Sequence, residues 1–138
     1  MLFRSVLVVE DQPSNQTVIS LLLETMGLEA VVAEDGVAAV EVAQRGAFDV
    51  ILMDLNMPRM NGYEATQALR QLGIAAPILA LSAAGAPRKD SGFDGFIAKP
   101  VDSKGLQQAL RKYLPILEKA ASARAGGSDD PVVIEFEG

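Results

Sequence analysis

The chain of 138 residues contains no cysteine and no histidine. Without cysteine there is no disulfide framework and no thiolate metal site. Without histidine, imidazole-based acid–base catalysis and most zinc sites are excluded. No apolar run approaches the ~20 residues needed to span a bilayer. Met1-Leu2-Phe3-Arg4-Ser5 leads straight into an apolar run and does not read as a signal peptide, so the cytoplasm is the expected location. A net charge of −6 argues against nonspecific nucleic-acid binding, which needs a basic surface. No nucleic-acid and no membrane partner is expected.

What the chain does have is apolar residues, 49% of the total, enough for one core of ordinary size. They fall into strand-like and helix-like segments that alternate. Ser5 to Val9 reads as a buried strand. A helix follows from about Pro13 to Met26, with Val18, Leu21, Leu22 and Thr25 at helical spacing and Gly27 as its stop. Glu29 to Ala33 is strand two. Gly36 to Gln44 is a helix, with Val37, Val40 and Val42 as inward candidates. Phe48 to Met53 is strand three. Asn61 and Glu64 form a capping-box pattern opening a helix to about Leu72. Pro77 to Leu81 and Gly95 to Ala98 are strands four and five. Asp102 or Ser103 opens a last helix reaching about Lys119, with Pro115 predicting a kink or an early end near Leu114.

This alternation predicts an α/β fold: a doubly wound, five-stranded parallel sheet of order 2-1-3-4-5 with right-handed crossovers. Only 13 residues, Ser82 to Asp94, separate strands four and five, and they include Gly85, Pro87 and Gly92. A helix there should be short or absent, leaving Ile78, Ala80, Phe96 and Ala98 under-covered. Residues 1–119 are assigned to this domain. Residues 120–138 read as a linker followed by a short strand-like segment, Val132-Val133-Ile134-Glu135-Phe136. That segment is a candidate to cover strands four and five, within one chain or across a homodimer.

Four apolar runs end in residues suited to phosphate chemistry: Glu10-Asp11, Asp54, Ser82 and Lys99-Pro100. The carboxyl ends of parallel strands line one crevice, so these side chains should converge. Each has an ordinary reading as a turn, cap or surface residue. Together, three carboxylates suit Mg²⁺, a hard cation that takes oxygen ligands. Clustered carboxylates repel one another and a cation relieves that. Asp54 is then a competent nucleophile toward phosphorus, Ser82 a donor to a phosphoryl oxygen, and Lys99 a neutralising charge. Lys99-Pro100 is also a cis-peptide candidate.

From residue 4 to 119 the chain resembles a response-regulator receiver domain of two-component signalling, with the flavodoxin-like receiver fold. The resemblance is carried by Val6-Leu7-Val8-Val9-Glu10-Asp11, by Ile51-Leu52-Met53-Asp54-Leu55-Asn56-Met57-Pro58-Arg59-Met60-Asn61-Gly62, by Leu81-Ser82-Ala83 and by Lys99-Pro100. Glu10-Asp11-Gln12-Pro13-Ser14-Asn15-Gln16 is similar to receivers of hybrid histidine kinases. The resemblance implies that Asp54 accepts a phosphoryl group from a phosphohistidine on a histidine kinase or histidine phosphotransfer protein. It implies that Glu10, Asp11, Asp54 and the Asn56 backbone carbonyl hold Mg²⁺, and that Ser82 and Lys99 bind phosphoryl oxygens. Phe96 takes the family's switch aromatic position, where Tyr is commoner, so a hydroxyl contact is lost. Asn56 and Ala84 take positions that tune dephosphorylation, and Ala84 has no polar group to orient water.

The expected function is a phosphorylation-controlled switch that acts chemically only on itself and changes its binding to a downstream protein. Two alternatives stand beside it. One is a Mg²⁺-dependent phosphohydrolase with an aspartyl nucleophile, although Asn56, two residues after Asp54, cannot do general acid–base work. The other is a degenerate receiver acting as a scaffold. The start at Met1 and the unpartnered tail lean toward a free-standing protein.

Overall fold

The computed structural model describes residues 4–114. Among these residues five strands and four helices alternate, except that the fourth strand leads to the fifth without a helix. They are β1 (Ser5–Val9), α1 (Pro13–Thr25), β2 (Glu29–Ala33), α2 (Gly36–Arg45), β3 (Val50–Asp54), α3 (Gly62–Gln71), β4 (Ile78–Ser82), β5 (Gly95–Ala98) and α4 (Ser103–Tyr113). The sheet is parallel throughout with order β2-β1-β3-β4-β5, as expected. β3 and β4 are buried at every position, and β1 at all but Ser5. Strands covered on both faces need continuous apolar sequence, and their runs supply it.

Successive side chains of a strand point to opposite faces, which divides the core in two. Val6, Val8, Val50, Leu52, Leu79 and Leu81 face α1 and α4, meeting Ile19, Leu23, Leu106 and Leu110. Leu7, Val9, Ile51, Met53 and Ile78 face α2 and α3, meeting Ala39, Ala43, Ala65 and Leu69.

The helix ends follow local chemistry. Pro13 opens α1, where its missing N–H costs nothing. Asn61 and Glu64 form the expected capping box of α3. Asp102 caps α4 through the Gly105 N–H at 2.7 Å. α4 stops at Tyr113, just before Pro115, and the expected extension to Lys119 lies outside the described residues. So do the linker and strand-like segment of residues 120–138.

Several expectations are corrected. In α1 the buried residues are Ile19 and Leu23, while Val18 and Leu21 are 47% and 56% exposed and Thr25 is exposed too. A wide apolar sequence allowed two stripes, and packing on β1 selected the one centred on Ile19 and Leu23. In α2, Ala39 and Ala43 face the sheet and Val37 is exposed, because small side chains allow the helix to lie close. β3 begins at Val50 rather than Phe48: the Asp49 carboxylate accepts from the Ser5 N–H at 2.8 Å and ends the chain's approach there.

No helix joins β4 to β5. Phe96 and Ala98 are exposed, as expected, but Ile78 and Ala80 are fully buried. The β4–β5 loop folds against α3, and its Phe93 packs on the core cluster that holds Ile78. The Phe93 ring meets that of Tyr63 edge-on, 5.7 Å between centroids. The Arg88 guanidinium stacks over the Tyr63 ring, 3.7 Å from its centroid, and the Arg88 backbone N–H donates to the Tyr63 hydroxyl at 3.1 Å. Arg70 of α3 donates to the carbonyls of Gly92, Ile74 and Ala76 and pairs with Asp94 at 2.8 Å. One arginine thus closes the loop over the end of α3.

Candidate functional site

The carboxyl ends of β1, β3 and β5 bring Glu10, Asp11, Asp54 and Lys99 to one place, and Ser82 ends β4 between Leu81 and Ala83, which line the same cavity. Carboxylate oxygens of Glu10, Asp11 and Asp54 all lie within 4.8 Å of one another. Glu10 and Asp54 are buried and Asp11 is half-buried at the mouth. The cavity there measures about 300 Å³ and is lined by Asp11, Asn15, Asp54, Asn56, Ala83 and Lys99 among others.

Each carboxylate is held by its surroundings. Glu10 Oε2 accepts from the Gln12 N–H at 3.1 Å and from the Asn15 side chain at 3.4 Å. Asp54 Oδ1 accepts from the Asn56 N–H at 3.3 Å. Lys99 Nζ stands 3.3 Å from Glu10 Oε1 and 3.3 Å from Asp54 Oδ1, bridging the two buried acids. Burial, followed by the neighbouring Glu10 charge, pushes the Asp54 carboxyl above its ordinary range, and Lys99 only partly offsets this. Burial works against the Lys99 ammonium, yet the charges of Asp54 and Glu10 outweigh it and raise its pKa.

Three acids therefore gather about one ammonium that pairs with two of them, and buried Glu10 Oε1 has no hydrogen bond beside its ion pair with Lys99. A divalent cation fits this deficit. The donors are all oxygen, the set that hard cations such as Mg²⁺ take, and no softer ligand is nearby.

Ser82 is buried at the end of β4, its hydroxyl accepting from the Ala84 N–H at 3.1 Å. The Lys99–Pro100 peptide is cis. Phe96 stands apart from the cluster, on the sheet face shared with Ala80, and is 41% exposed. Asn56 lines the cavity.

Three contributors were not singled out from sequence. Asn15 and Gln16, in the first turns of α1, donate to Glu10, Gln16 through its side chain to the Glu10 carbonyl at 2.7 Å. A polar pair four and five residues after Asp11 was the available signal. Asp35, at the start of α2, pairs with Arg59 of the β3–α3 loop, and no spacing rule links them.

Comparison with known proteins shows the family. Residues 6–111 match the family model described as response regulator receiver domain. The chain is 39% identical over 119 residues to the sensor histidine kinase RcsC of Salmonella typhi, covering 83% of this chain and 13% of that protein. It is also similar to the crystal structure of the receiver domain of a Pseudomonas aeruginosa sensor histidine kinase with a magnesium ion coordinated in the active-site cleft. That match has a TM-score of 0.76 and 35% identity, and covers 83% of this chain and 99% of the other. A third likeness is to a co-crystal structure from Saccharomyces cerevisiae that joins a histidine phosphotransfer protein to the receiver domain of its downstream response regulator. There the TM-score is 0.68 and the identity 25%, over 80% of this chain and 88% of that one. Among the described residues no helix is long and apolar enough to cross a membrane.

Proposed function

The chain belongs to the response regulator receiver domain family, and on that premise we propose that it is a switch phosphorylated on Asp54 by a phosphohistidine donor. The observation that carries this reading is Lys99 bridging Glu10 and Asp54, with Asp11 beside them. A carboxylate nucleophile needs a nearby countercharge and access to the donor, and Asp54 beside Lys99 in an open cavity has both.

In the proposed step an Asp54 carboxylate oxygen attacks phosphorus while the N–P bond of the donor phosphohistidine breaks. The bonding pair leaves with the imidazole, and an acyl phosphate forms. Glu10, Asp11, Asp54 and the Asn56 carbonyl would hold Mg²⁺, which supplies charge neutralisation for the phosphoryl oxygens and relieves carboxylate repulsion. Lys99, beside Asp54, would neutralise charge on the transferred group. Ser82 donates its hydroxyl proton to a phosphoryl oxygen while its oxygen accepts from the Ala84 N–H, which links the phosphoryl group to the β4–β5 loop.

The donor must approach along the mouth of the cavity, beside α1. The exposed Val18 and Leu21 on that helix suit the donor's own apolar surface, and the donor is a histidine kinase or histidine phosphotransfer protein. Exposed Phe96 and Ala98 on the edge strand β5 suit a downstream protein or a second copy of the chain. Phe96 lacks the hydroxyl of a tyrosine, so its part in switching is steric.

Incubating the full chain with Mg²⁺ and acetyl phosphate tests the assignment. One phosphoryl group should appear, and Asp54→Ala should abolish it. Labelling that survives in that variant overturns the role of Asp54. Multiple turnovers of a generic phosphate ester would favour the phosphohydrolase instead, and no labelling of the wild type would favour the scaffold.

A further inference from the structure

We propose that Arg59 and Asp35 form a clamp that positions the β3–α3 loop, making Arg59 a positioning residue for divalent-cation binding. The inference rests on reading the carboxylate cluster as a cation site to which this loop contributes the Asn56 carbonyl.

Arg59 lies three residues after Asn56 and has a backbone φ of +67°. A long side chain in the left-handed region is strained, so something must hold it there. Its Nε and Nη2 both reach Asp35 Oδ2, at 2.7 and 2.6 Å. Asp35 Oδ1 is already committed, accepting the Ala38 N–H at 2.8 Å as the cap of α2. The Asp35 carboxylate is therefore fixed by a helix terminus, is almost fully buried, and offers one remaining oxygen to the guanidinium. The Ala38 N–H and then Arg59 outweigh its desolvation and hold its carboxyl below the usual range.

A second contact acts beside the clamp. A Cβ on Gly36 would come within 2.6 Å of the Met60 carbonyl oxygen, so α2 begins directly under this loop. At the loop's far end Gly62 donates to the Leu55 carbonyl at 3.0 Å, and a Cβ there would collide with the Asp54 carbonyl. Residues 55–61 are thus tied to Asp54 at one end and to α2 in the middle. Charge-assisted hydrogen bonds to a buried carboxylate are the strongest ties of this kind. Loss of the clamp frees the segment that carries Asn56 while leaving all three carboxylates in place.

Calorimetric titration of Mg²⁺ into the full chain, with melting in chelator measured alongside, decides this. Arg59→Ala should weaken Mg²⁺ binding on the order of 10-fold, the scale seen when outer-shell partners of metal ligands are removed. Arg59→Lys should restore part of the loss, since an ammonium keeps the charge but not the fork. Asp35→Asn keeps an N-cap and should weaken binding similarly, and the double variant should be no worse than either single one. Unchanged affinity in Arg59→Ala, or a lower melting temperature without a change in affinity, overturns the clamp while leaving the cation site standing. A wild type that binds no Mg²⁺ overturns both.

Discussion

The ring of Phe93 stands at 87° to that of Tyr63, edge to face, and this pair closes the sheet where a helix is missing. Arg70 locks the same loop through the carbonyls of Gly92, Ile74 and Ala76. Arg70→Ala should destabilise the fold by about 1–3 kcal/mol, since it strands partly buried carbonyls. Hydrogen exchange should rise first in residues 83–94. Protection unchanged in that segment would show that the loop does not depend on Arg70.

Phe93→Ala should cost about 3–5 kcal/mol if the ring were fully buried, and less here because it is half-buried. The chain has no tryptophan and two tyrosines, Tyr63 and Tyr113, so intrinsic fluorescence reports on this contact. Tyr63 emission should shift in Phe93→Ala, and a Tyr113→Phe background assigns the signal.

Asp54→Asn should raise the melting temperature in chelator at neutral pH. The Asp54 carboxyl is raised above its ordinary value by burial and by Glu10, so its ionised form opposes folding. Added Mg²⁺ should stabilise the wild type more than the variant. A variant that melts below the wild type in chelator would contradict this balance.

Lys99→Ala should be phosphorylated slowly while still binding Mg²⁺. In chelator it should lose stability, because Glu10 and Asp54 are left buried without their shared countercharge. Mg²⁺ should recover much of that loss. A large fall in Mg²⁺ affinity would instead assign Lys99 to the cation's own surroundings.

Asp35 gives a sign-definite pH dependence. Its folded pKa is lowered, so its contribution is present above its unfolded value and is lost as pH falls through the folded one. Asp35→Asn should therefore be less stable than wild type at neutral pH, and the gap should narrow below about pH 4, near the ordinary Asp value. Melting curves across that range check it, and a gap that widens in acid would reverse the assignment.

The sequence by itself determined the alternation of strands and helices and the sheet order, because both follow from local signals and general rules of chain crossing. Apolar runs, Pro13, the Asn61–Glu64 box and Gly27 act within a few residues. It also named side chains that the fold gathers: Glu10, Asp11, Asp54 and Lys99 each follow or end an apolar run, and a parallel sheet brings such ends together. Only the tertiary structure decided which stripe of α1 turned inward, since Ile19 and Leu23 differ from Val18 and Leu21 in position and hardly in kind. The packing of Phe93 on the core cluster that holds Ile78, and the Arg59–Asp35 pair 24 residues apart, were likewise decided there. Such contacts join segments distant in sequence, and they exist only once the helices have been laid against the sheet.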